Sequence, residues 1–60
     1  MPRTIAVVRD FDKKGGGWKV LVNYIQRGIV FHNMETANNQ ALELSEKEHC
    51  DHLILAKNDA

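Results

Sequence analysis

The side chains best suited to chemistry sit in one run, His49-Cys50-Asp51-His52. Zinc takes Cys, His and carboxylate donors in a tetrahedral set. Four donors in four consecutive residues cannot all converge, and His32 is the only other histidine. Neither a Cys-x-x-Cys pair nor a His-Glu-x-x-His helix is present. The run reads as a polar helix end, and no metal and no cofactor are expected. A Cys50–His nucleophilic pair would need a thiolate beside a base. Cys50 falls at the end of a helix, where the dipole disfavours negative charge, so no catalytic residue is assigned and the chain is not expected to be an enzyme. Asp10 and Asp12 share a loop with Lys13 and Lys14, which reads as local charge balance rather than a magnesium site.

Lys13-Lys14-Gly15-Gly16-Gly17 has the composition of a phosphate loop but not its order. In a phosphate loop the lysine follows the glycines and opens a helix, whereas here a strand follows. With Lys19 and Arg27, the pair Lys13 and Lys14 forms the candidate set for non-specific nucleic-acid contact. Trp18 is expected to anchor the core instead of stacking on a base.

Alternation of side chains defines the elements that hold these residues. Thr4 to Arg9 is β-branched and predicts a first strand. Asp10 to Gly17 is a loop broken by three glycines. Trp18 to Ile25 alternates with period two and predicts a second strand, with Trp18, Val20, Val22 and Tyr24 on one face. Gln26-Arg27-Gly28 then turns, and Gly28 to His32 returns as a third strand. Glu35 to about His49 predicts a helix with Thr36 as N-cap. Met34, Ala37, Ala41 and Leu44 share its inner face. Leu53 to Ala56 closes as a final strand, and Asn58-Asp59-Ala60 is a polar tail.

The expected fold is α+β, in the order β-β-β-α-β. A three-stranded antiparallel meander carries one helix on one sheet face, followed by a final strand, and residues 1–60 form a single domain. The inner residues are Ile5, Val7, Trp18, Val20, Val22, Phe31, Leu53 and Leu55. One helix covers one face, so Val8, Leu21, Ile25, Val30 and Ile54 are expected on the other. Leu21, Ile25, Val30 and Ile54 form the candidate dimer or partner interface, because an apolar patch of this size marks an interaction site.

Sixty residues lie near the lower limit for a core without staples. That length leaves little room for a walled active site. The single cysteine excludes an intrachain disulfide, and no apolar run reads as a signal peptide or membrane span. The expected setting is cytoplasmic. The formal net charge is zero, but it is divided. Residues 1–30 carry six basic and two acidic side chains, and residues 31–60 carry two basic and six acidic. Such asymmetry suits self-association or a polyanionic partner. The partner expected first is a second copy of the chain, then another protein. Nucleic acid is not favoured, and no membrane partner is expected.

Gly16-Gly17-Trp18-x-Val20, Phe31, the Thr36-to-Ala41 spacing and Leu53 to Asp59 together resemble a small bacterial family known only as a domain of unknown function. Its members share a Gly-Gly-Trp hairpin, an Ala-rich helix and a closing strand. The chain departs from that pattern at Asn38-Asn39 and at Lys57-Asn58-Asp59. The resemblance implies the fold and a bacterial origin, and no activity. More loosely, the element order is similar to the N-terminal domain of HicB-type antitoxins, which bind a small toxin.

Overall fold

The computed structural model describes residues 2–12 and 14–57. The elements are β1 (Thr4–Arg9), β2 (Trp18–Val22), β3 (Ile25–Gln26), α1 (Met34–Glu48) and β4 (His52–Ile54). They form one mixed sheet in the order β3-β2-β1-β4. β1, β2 and β3 make an antiparallel meander, and β4 lies parallel beside β1. The α+β class and the β-β-β-α-β order are as the sequence predicts. Parallel pairing of β4 follows from the crossover, since α1 carries the chain back along the sheet before β4 begins.

The second strand is shorter than its alternation predicts. It stops at Val22 because Asn23 (φ 50°) and Tyr24 (φ 70°) both enter the left-handed region. Two such residues make the hairpin turn whose twist suits antiparallel strands. Asn23 also ties this turn to β1. Its Oδ1 accepts from the Thr4 N–H at 2.8 Å, and its own N–H donates to the Thr4 carbonyl at 2.8 Å. The turn therefore lies at Asn23-Tyr24, not at Gln26 to Gly28. Tyr24 leaves the predicted inner row and is 86% exposed.

The third strand is displaced as well. It occupies Ile25–Gln26, ahead of the predicted Gly28–His32. Gly28 bends the chain with φ 82°, a conformation that favours glycine. Within the predicted stretch, Phe31 rejoins the sheet by a bridge to Trp18, with main-chain hydrogen bonds of 2.7 and 2.8 Å.

Helix α1 starts one residue earlier than predicted, and its cap is Asn33 rather than Thr36. Asn33 Oδ1 accepts from the N–H groups of Glu35 (2.7 Å) and Thr36 (3.4 Å). A cap must precede the first turn to reach those free donors, and Thr36 already lies inside the helix. At the other end His49 closes the helix in the left-handed conformation (φ 53°). β4 then begins at His52, with the N–H groups of Asp51 and His52 both on the Arg3 carbonyl.

The core lies between α1 and one sheet face. Ile5, Val7, Val20, Val22, Ala37 and Ala41 are buried. Trp18, Phe31, Leu44, Leu53 and Leu55 pack around them half-buried. Ala37 and Ala41 reach zero exposure, so the helix backbone approaches the sheet closely. The eight predicted inner residues all belong to this cluster or pack on it.

Candidate functional site

The sheet face away from α1 is set by register. Side chains directly opposite one another in neighbouring strands point to the same side. Gln26, Leu21, Ala6 and Ile54 therefore form one row across all four strands. Val8 pairs with Lys19 in a second row, and Thr4 pairs with His52 in a third. The apolar part is Ala6, Val8, Leu21 and Ile54, with Ile54 55% exposed. Leu21 and Ile54, both predicted here, flank Ala6.

Ile25 does not belong to this face. It pairs with Val22, whose side chain is in the core. The Asn23-Tyr24 turn consumes two residues, so Ile25 returns on the helix side, 72% exposed at the sheet edge. Val30, also placed in this interface by the sequence, lies half-buried between Gly28 and the Phe31 bridge, outside any strand.

A second apolar surface has no counterpart in the sequence reading. A groove of about 370 Å³ runs between α1 and the segment 27–31. Its lining includes Ile29, Phe31, Leu44, Gln40 and Arg27. α1 packs on β1, β2 and β4 and makes no contact with β3. Among the described residues the inner side of the β3 edge is thereby left open, and Ile29 beside it is 70% exposed.

The described basic residues among the predicted nucleic-acid contacts are dispersed. Lys13 lies outside the described residues. Lys14 is exposed in the first loop, and Lys19 projects from the outer face opposite Val8. Arg27 turns the other way and donates from Nη1 to Glu48 Oε2 at 2.8 Å. Glu48 also takes Arg3 Nη1 on Oε1 at 3.2 Å, and the same Arg3 atom bonds the Glu48 carbonyl at 3.1 Å. This clamp joins the helix end to the start of β1 and to the segment after β3. Nothing in the sequence pattern points to it, because its members are 45 and 21 residues apart.

At the opposite end Arg9 lies over the Trp18 ring, 5.0 Å from its centroid, and 6.0 Å from that of Phe11. Cation–π contact of this kind operates within about 6 Å. Gly16 makes room for it, since a Cβ there would come within 2.9 Å of the Arg9 guanidinium. The second glycine of the triplet thus serves Arg9 packing, and Trp18 is half-buried against the core.

The chemistry-bearing residues are absorbed locally. Asp10 Oδ1 accepts the Asp12 N–H at 2.9 Å, a turn closed by its own side chain. Cys50 Sγ and Ser45 Oγ lie 2.9 Å apart beside the core. His49 and His52 are exposed. Among the described residues no three His, Cys, Asp or Glu side chains group to hold a metal ion, and no helix is long and apolar enough to cross a membrane. No protein-family model matches the chain, and no curated protein or solved structure matches it.

Proposed function

We propose that this chain is a non-enzymatic protein-interaction module that self-associates weakly through the sheet face opposite α1. The observation that carries this reading is the row Leu21–Ala6–Ile54 on the sheet face opposite α1, where no described element lies over it and Ile54 is 55% exposed. Ala6 is small and central, with larger aliphatic side chains on both sides. A second copy turned about a twofold axis would set each Leu21 or Ile54 near the other's Ala6.

Size decides how strong that contact is. The four strands are 6, 5, 2 and 3 residues long, and at about 3.3 Å rise per residue and about 4.8 Å between strands they offer a face of roughly 250 Å². A standard stable interface takes about 800 Å² from each partner. The dimer is therefore weak and forms only at high concentration. Lys19 and Arg27 stand on opposite sides of the sheet, which favours a protein partner over nucleic acid. A cytoplasmic, bacterial setting and kinship with the Gly-Gly-Trp family belong to the same proposal. For the HicB-type domain, element order supports a likeness of fold and nothing about a toxin partner.

Sedimentation equilibrium from micromolar to millimolar chain tests the reading. The apparent mass is expected to rise from 6.8 kDa towards twice that value, and Leu21→Lys is expected to hold it at the monomer. A millimolar sample of the unmodified chain that remains monomeric overturns self-association.

A further inference from the structure

We draw no further inference here: the strongest candidate, the apolar groove between α1 and the segment 27–31 at the β3 edge, carries nothing, because Arg3 and Arg27 beside it are balanced by Glu48 and Asp51 and nothing in the structure shows what occupies it.

Discussion

Val22 and Ile25 stand opposite each other across a two-residue turn, and both side chains point to the helix side of the sheet. The turn works because Asn23 accepts the left-handed conformation more readily than most residues, while its side chain bonds the Thr4 N–H at 2.8 Å. Asn23→Ala removes that bond and the local preference together. It is expected to destabilise the domain by about 1–2 kcal/mol. Tyr24→Gly relieves a positive φ but gains freedom in the unfolded chain, so it should stay near neutral. Urea midpoints of the two variants check the contrast, and equal losses would move the turn's support away from Asn23.

The helix start gives a similar comparison. Asn33 caps α1 through Oδ1, while Thr36 lies within the first turn. Asn33→Ala is expected to cost about 0.5–2 kcal/mol. Thr36→Ala should change little, or stabilise slightly through the better helix propensity of alanine. Thermal unfolding of both variants decides which residue is the cap.

The core was legible because burial imposes a period. Ile5, Val7, Val20 and Val22 alternate, Ala37 and Ala41 recur four apart, and both patterns face the same space. What could not be read were contacts set by turn geometry. The Trp18–Ile25 alternation runs on through Asn23-Tyr24, so nothing in it marks a reversal. The usual second-position glycine of such a turn is absent. One unread turn moved β3 and carried Ile25 to the other side, since a slip of this kind reverses the face of the side chains that follow. It also hid the groove, whose walls come from Ile29 and Leu44. The Glu48 clamp was illegible for a different reason: ion pairs between distant segments leave no periodic trace.

Ala37 and Ala41 lie at zero exposure under the helix axis. Ala41 sits in the buried cluster against the sheet, so a larger side chain there must displace its neighbours. Ala41→Leu is expected to destabilise by about 1–3 kcal/mol through overpacking. Asn39→Ala, on the exposed side of the same helix, should stabilise by a few tenths of a kcal/mol through propensity, at most about 0.7. Chemical denaturation of the pair separates tight packing from helix preference. If Ala41→Leu costs nothing, the helix does not sit as close to the sheet as its burial indicates.

Glu48 joins three segments, yet its partners Arg3 and Arg27 keep 42% and 50% of their side-chain surface in water. Water and salt screen such pairs, so each is worth about 0.2–1 kcal/mol rather than the value of a buried bridge. Glu48→Gln keeps the shape and removes the charge. Its cost should lie within about 2 kcal/mol for the two pairs together, and should shrink as salt rises from low concentration to about 1 M. A double-mutant cycle with Arg27→Met isolates the Arg27 contact from the one made by Arg3. The coupling is expected to fall with salt along with the stability. Coupling that salt leaves unchanged would mean that Glu48 acts through packing at the helix end and not through charge.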